Sequence, residues 1–208
     1  MHKIYKFIKR FLDILFSFLA IVLLSWLLLI IAIIIKLSTR GPVLFKDQRV
    51  GLNGKTIVVY KFRTMHVDAE TNIEKYLTKE ELAIWNKERK LDRDPRITKV
   101  GEFLRKTSLD ELPQLFNIFL GSLSIVGNRP ITRREFDMWF TEEEKKKISS
   151  VKPGLTGYWQ VSGRSNVTFE SGERQKLDLY YIDNYSFMLD FKIVFKTPFV
   201  VLFKVGAR

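Results

Sequence analysis

The sequence contains no cysteine, which excludes a disulfide framework and any thiolate-held metal centre. Its two histidines, His2 and His66, lie far apart, which argues against a histidine-rich zinc site. There is no internal repeat and no low-complexity linker, so the 208 residues read as one compact domain with a core of its own. Acidic residues are in the minority: 23 against 35 lysines and arginines, for a formal net charge of +12. Such a balance requires an anionic partner, whether nucleic acid, a membrane surface or a phosphorylated substrate. Proline is scarce, with six in the chain and none inside its longest apolar run.

That apolar run selects among the partners. Ile14 to Ile35 is interrupted only by Ser17 and Ser25. About 22 helical residues reach roughly 33 Å, enough to cross a hydrocarbon core. Ahead of it, Lys3, Lys6, Lys9 and Arg10 alternate with Ile4, Tyr5, Phe7 and Ile8, a pattern suited to an amphipathic helix on an anionic phospholipid membrane. Beyond it stand Lys36, Arg40, Lys46 and Arg49. Positive charge at both ends gives no orientation by the positive-inside rule. It fits a segment that enters and leaves by the cytoplasmic face, with Ser25 supporting a helix-break-helix; a straight span is the alternative. The expected organisation is a basic arm and re-entrant helix over 1–40 and a cytoplasmic domain over 41–208.

The fold class expected is α/β, mostly α with a small β-hairpin. Val43 to Phe45 and Thr56 to Phe62 read as its strands, with turn chemistry at Gly51-Leu52-Asn53-Gly54. Lys61 and Arg63 alternate with Phe62, so both cations point one way, either to solvent or to a phosphate. Residues 68–90 read as two short helices parted by a capping box at Thr78, and Val100 to Lys106 as another helix. A further capping box at Thr141 starts a helix that ends in Lys145 to Lys147. Leu155 to Val161 is strand-like, and the Ser162 to Asn166 loop, with Arg164, suits a phosphate or a nucleobase. Glu173 to Tyr185 reads as a helix with Leu177, Tyr180 and Tyr181 on one face. Phe187 to Lys204 is too charged to span and reads either as an interfacial amphipathic helix or as an ordinary core helix.

The chemistry concentrates in residues 107–130. Asp110 and Glu111 are adjacent, followed by Leu112, Leu115, Phe116 and Phe119 at a helical period. Pro113 suits a first helical turn, which places the two carboxylates at a helix start. Arg105 and Lys106 precede them, and Arg129 follows after a glycine-containing turn. Carboxylates, a helix start and flanking guanidinium groups make a phosphate-handling site. Ser108 to Glu111 equally fits a capping box, in which case the acids simply open a helix.

Taken together, these stretches resemble the bacterial sugar transferase family, the monotopic phosphoglycosyl transferases. The likeness rests on the apolar segment, Gln48-Arg49-Val50-Gly51, Tyr60-Lys61-Phe62-Arg63-Thr64-Met65 and Asp94-Pro95-Arg96-Ile97-Thr98. It continues through Arg105 to Leu115, Val126-Gly127-Asn128-Arg129-Pro130, Pro153-Gly154-Leu155-Thr156-Gly157 and Trp159-Gln160-Val161-Ser162-Gly163-Arg164. The chain departs from the family at Ser25-Trp26, where Ser-Pro is common, at Gly121-Ser122, where Gly-Asp is common, and at Asn128, which replaces a proline.

The resemblance implies transfer of a hexose-1-phosphate from a UDP-sugar, with galactose or glucose as the sugar, to undecaprenyl phosphate. Asp110 would be the nucleophile, holding a covalent phosphosugar as UMP leaves, beside Glu111. Mg²⁺ would sit at Asp110 and Glu111. Substrate phosphates would meet Arg105, Arg129, Lys61, Arg63, Arg49, Gln160 and Arg164. The implied place is the cytoplasmic face of the bacterial inner membrane, in the first membrane step of polysaccharide assembly. A non-catalytic membrane scaffold is the competing reading; it explains the charge and the apolar run but not the acid pair. No nucleic-acid partner is expected, since the chain carries no recognisable nucleic-acid motif. An exposed apolar C-terminal stretch would permit a homodimer.

Overall fold

The computed structural model describes residues 2–88, 91, 93–162 and 169–202. Helix α1 (His2–Ser38) opens the chain. Its residues adopt helical geometry from end to end, so the expected break at Ser25 is absent. The physical reason is plain: no proline removes a backbone donor there. Among the described residues α1 is the one helix long and apolar enough to cross a membrane.

Strands β1 (Leu44–Val50) and β2 (Thr56–Phe62) pair as the expected hairpin around a 3₁₀ turn at Leu52–Gly54. Asn53 takes a left-handed conformation in that turn, φ 56°, which asparagine tolerates. Helices α2 (Ile73–Tyr76) and α3 (Lys79–Glu88) are separated at Thr78, whose hydroxyl accepts from Glu81 N while Glu81 accepts from Thr78 N, as the capping box requires. Helix α4 (Lys99–Thr107) starts on the Thr98 hydroxyl, which accepts from Gly101 N at 2.9 Å. A 3₁₀ turn at Leu109–Glu111 and helix α5 (Gln114–Leu120) follow.

The remaining chain forms β3 (Ser124–Val126), α6 (Arg133–Trp139), α7 (Glu142–Ile148), β4 (Gly154–Thr156), α8 (Tyr158–Ser162), α9 (Glu173–Asn184) and α10 (Phe187–Leu202). Strands β3 and β4 run parallel, Ser124 opposite Gly154 and Val126 opposite Thr156. The strand expected over 155–161 stops at Thr156, because β3 offers three residues to pair with, and the chain turns into α8. Gly127 and Gly154 lie against one another so closely that a Cβ on Gly154 would sit 2.1 Å from Gly127 N.

The chain divides into two compact units. The first comprises residues 1–23, 46–60 and 114–208; the second comprises 24–45 and 61–113. The first unit is built on Val126, Ile131, Phe136, Phe140, Tyr181, Ile182 and Ile193. Here α9 buries Gln175, Asp178, Tyr181 and Ile182, while Tyr180 is exposed, so the expected apolar face over Leu177, Tyr180 and Tyr181 is corrected. Each of the two buried polar side chains is partnered at one end: Gln175 Nε2 donates to Phe169 O at 2.9 Å, and Asp178 accepts the Arg129 N–H, while Gln175 Oε1 and Asp178 Oδ2 make no hydrogen bond. Helix α10 exposes Met188, Phe191, Phe195 and Phe199 and packs on the core through Ile193 and Leu189.

The first part of α1 is fastened to this unit by polar side chains. Tyr5 and Lys9 both donate to the Asp190 carboxylate, which also accepts from Tyr181 at 2.8 Å. Arg10 donates to the carbonyls of Ile118 and Phe119 at 2.6 and 2.8 Å, satisfying the open end of α5. Asp13 accepts from Ser124 Oγ and Ile125 N at 3.1 and 2.9 Å. In the second unit the later part of α1 packs by Ile31 and Ile35 against Phe62 and Leu104.

Candidate active site

In the second unit, α4 ends at Thr107 and the chain reverses at Ser108, a non-glycine residue at φ 57°. Ser108 makes no side-chain cap, so the capping-box reading of Ser108 to Glu111 is not realised. The two acids occupy a 3₁₀ turn between α4 and Pro113 rather than the first turn of a long helix. That tight turn holds them next to one another, half-buried, without using either side chain to close it.

The electrostatics of the turn set the two acids apart. Asp110 is pushed up to about 6, first by burial and then by the charge of Glu111, against the pull of Lys61 and Arg105. Lys61 Nζ lies 3.3 Å from Glu111 Oε1. Arg105, in the last turn of α4, donates from Nε to Thr64 Oγ1 at 2.9 Å. Lys61 and Arg105 thus stand with the acid pair. Arg63 does not: its guanidinium donates to the carbonyls of Arg40 and Thr39 at 2.9 and 3.1 Å, where α1 ends. It is a buried cap on the exit of the apolar helix, with both Nη groups bonded to those carbonyls.

The other candidates belong to the first unit. Arg49 is committed to Asp47 at 2.6 Å and lies 3.7 Å from Glu135. The Arg129 guanidinium lies over the Trp159 ring at 5.3 Å, and that of Arg174 over the same ring at 4.4 Å. Two cations on one indole are a concentrated positive locus. Burial, and then Arg129, bring Arg174 down to about 10. Beneath them burial pushes Asp178 up to about 7, opposed by Arg174. Gln160 Oε1 is buried there without a hydrogen-bond partner. Arg164 lies outside the described residues.

Three residues of this architecture escaped the sequence reading. Arg174 and Asp178 were hidden inside an ordinary helix, although an acid within Leu177-Asp178-Leu179 is a signal of a buried partner. Asn117 is the third: it accepts from Tyr60 N at 2.8 Å and donates to Val58 O at 2.6 Å, pinning α5 to β2. A lone amide in Leu115-Phe116-Asn117-Ile118-Phe119 could have marked it.

No group of three or more His, Asp or Glu side chains among the described residues could enclose a metal ion. Asp110 and Glu111 are two adjacent carboxylates, a donor set that suits Mg²⁺ in its usual mode: one or two carboxylates, with substrate phosphates and water completing the shell.

Comparison with known protein families adds to this geometry. The family model described as Bacterial sugar transferase matches residues 4–204. The chain is 40% identical over 204 residues to the undecaprenyl-phosphate galactose phosphotransferase of Salmonella typhimurium, covering 97% of this chain and 42% of that protein. It is 39% identical over 198 residues to the UDP-glucose:undecaprenyl-phosphate glucose-1-phosphate transferase of Escherichia coli, covering 93% of this chain and 40% of that protein. It is 41% identical over 191 residues to the exopolysaccharide production protein ExoY of Sinorhizobium fredii, covering 91% and 83%. The chain therefore spans less than half the length of the first two relatives and most of the third.

Proposed function

The chain belongs to the bacterial sugar transferase family, and from that premise we propose that it moves a hexose-1-phosphate from UDP-galactose or UDP-glucose to undecaprenyl phosphate. The observation that carries the reading is Asp110, a half-buried carboxylate raised towards neutrality beside Glu111, with Lys61 and Arg105 opposing it. A carboxylate used only to start a helix has no need of that surrounding.

The steps follow from charge. An Asp110 Oδ attacks the β-phosphorus of the donor, the bond from that phosphorus to the bridging oxygen breaks, and UMP leaves with the electron pair. The phosphosugar is now an acyl phosphate on Asp110. An oxygen of the lipid phosphate then attacks the same phosphorus and releases the carboxylate, giving the polyprenyl diphosphate sugar. Carboxylate and diphosphate repel each other, so Lys61 and Arg105 serve to offset the charge that gathers on the phosphoryl oxygens. Mg²⁺, held by Asp110 and Glu111, would supply further charge neutralisation at the diphosphate. A single site used in two turns lets a soluble donor and a lipid acceptor share one nucleophile.

Access to the lipid depends on α1. At 37 residues α1 extends for roughly 55 Å, well beyond a bilayer core. Its first part is bonded to Asp190, Ile118 and Ser124, and its later part packs on Phe62 and Leu104. Lys3, Lys6, Lys9 and Arg10 before the apolar run and Lys36, Arg40, Lys46 and Arg49 after it support entry and exit by one face, the cytoplasmic face of the inner membrane. Because the chain has no cysteine, single cysteines placed at positions 3 and 46 test it: equal labelling from one face is expected, and labelling from opposite faces would refute it.

The reaction is tested by UMP release from a panel of UDP-sugars, with undecaprenyl phosphate and Mg²⁺, using detergent-purified protein beside Asp110→Asn. Turnover with one donor, lost in the variant and in excess chelator, is expected. Folded, membrane-reconstituted protein inert towards every donor would overturn the proposal.

A further inference from the structure

Arg105 is held by a contact that neither the motif reading nor the acid pair accounts for. Its Nε–H donates to Thr64 Oγ1 at 2.9 Å, and among the described residues this is the one hydrogen bond its guanidinium makes. Thr64 is buried, and its backbone is fixed from three directions. Thr98 N donates to Thr64 O at 3.0 Å. Met65 and Ile97 form an antiparallel bridge, and His66 N donates to Arg96 O at 3.0 Å. Gly101 rests directly on the Thr64 carbonyl, so closely that a Cβ there would lie 1.9 Å from that oxygen. The start of α4 is therefore seated on Thr64, and the end of α4 returns Arg105 to the hydroxyl of the same residue.

A guanidinium has two edges able to grip an anion by two bonds, one made of Nε and an Nη, the other of the two Nη groups. Thr64 takes the Nε. The edge left free is the pair of Nη groups at the tip.

We infer that Thr64 is a positioning residue for the transferase reaction: its hydroxyl fixes the rotation of Arg105 so that the two Nη groups meet the phosphoryl oxygens end-on as charge develops beside Asp110. The inference rests on the assignment of Arg105 to the substrate phosphates made above. A guanidinium free to rotate about its long stem would still neutralise charge, but without a fixed approach to the transferring group. The contribution then lies in the transition state rather than in donor binding.

The test uses the full chain in detergent or nanodiscs with the donor that the wild type accepts. Thr64→Val keeps the shape and β-branching and removes the hydroxyl; Thr64→Ser keeps the hydroxyl. Thr64→Val should lower kcat about tenfold with the donor KM within about twofold, while Thr64→Ser stays within about threefold of wild type. In an Arg105→Lys background, where no Nε–H fork exists, Thr64→Val should add no further loss. Melting temperatures of all variants establish that each is folded. Wild-type kcat in Thr64→Val, a rise in KM alone, or losses that multiply in the double variant would overturn the assignment of Thr64 and leave the reaction standing. An inert wild type would overturn both.

Discussion

The second unit contains two acid–arginine arrangements that use the same chemistry to opposite ends. Asp94 and Arg96 form a closed pair: Arg96 Nε and Nη2 donate to the two carboxylate oxygens at 2.8 and 2.6 Å, and the guanidinium lies 3.9 Å from the centre of the Trp85 ring. The Arg96 and Asp94 side chains are 2% and 7% exposed. Burial alone would raise Asp94, but the bonds from Arg96 outweigh it and leave Asp94 below its ordinary value. Asp110 and Arg105 form an open arrangement. Arg105 gives its Nε to Thr64, and Asp110 ends above its ordinary value because burial and Glu111 outweigh the cations. A carboxylate whose charge is fully answered is a strut. One whose charge is answered in part is the kind of carboxylate that the proposed transfer needs. The difference lies in whether the guanidinium spends its fork on the acid.

The largest expected effect strikes the open arrangement. Asp110→Asn should lower transfer by at least about 1,000-fold, since an amide does not act as the nucleophile. The same variant should melt no lower than wild type at pH 7. Asp110 is raised in the folded state, so its ionisation opposes folding: that cost is absent below its ordinary value, grows as pH rises towards about 6 and is fully present above. A substantially lower melting temperature would mean that Asp110 is a strut after all.

The closed pair should respond the other way. Arg96→Met leaves Asp94 buried without its partner and should cost about 3–5 kcal/mol of stability, read by thermal or denaturant unfolding. A stability loss near zero would show that the pair is less closed than its geometry. Next in size is the pH dependence of transfer. Because Asp110 must be ionised to attack, kcat/KM should fall about tenfold per unit below about pH 6. In Glu111→Gln the surviving activity should show this limb at lower pH, because the like charge that raises Asp110 is gone. A limb that does not move would remove Glu111 from the electrostatics of the nucleophile. The smallest effect belongs to Lys106 and Glu102, an exposed pair on α4 at 2.7 Å. Glu102→Gln should change neither stability nor rate measurably, as water already answers both charges.

Much of this was legible beforehand where the cause is local. Thr78 and Thr141 stop and start helices by bonds within four residues, so their boxes could be read from spacing. The hairpin followed from β-branched residues around a glycine turn. The acid pair and its companions Lys61 and Arg105 were named in advance, Lys61 through a motif 50 residues away. What failed depended on distant partners. Arg63 carries the same charge as Lys61 two residues earlier, yet it caps the end of α1, and nothing in the strand pattern separates the two. The buried face of α9 was misjudged because Gln175 and Asp178 are made tolerable by Phe169 O and Arg129 N, neither of them on the helix.

The sequence by itself determined the long apolar N-terminal helix, the α/β class, the position of the acid pair and the family, because each is written in composition, period or contiguous motif. The tertiary structure decided which cation is a strut and which is free. It turned Arg63 to the exit of α1, set Arg105 on Thr64, and placed Arg129 and Arg174 over one indole. A guanidinium has the same charge wherever it stands. Its role is fixed by which acceptors the fold brings within hydrogen-bonding reach, and those acceptors come from other parts of the chain.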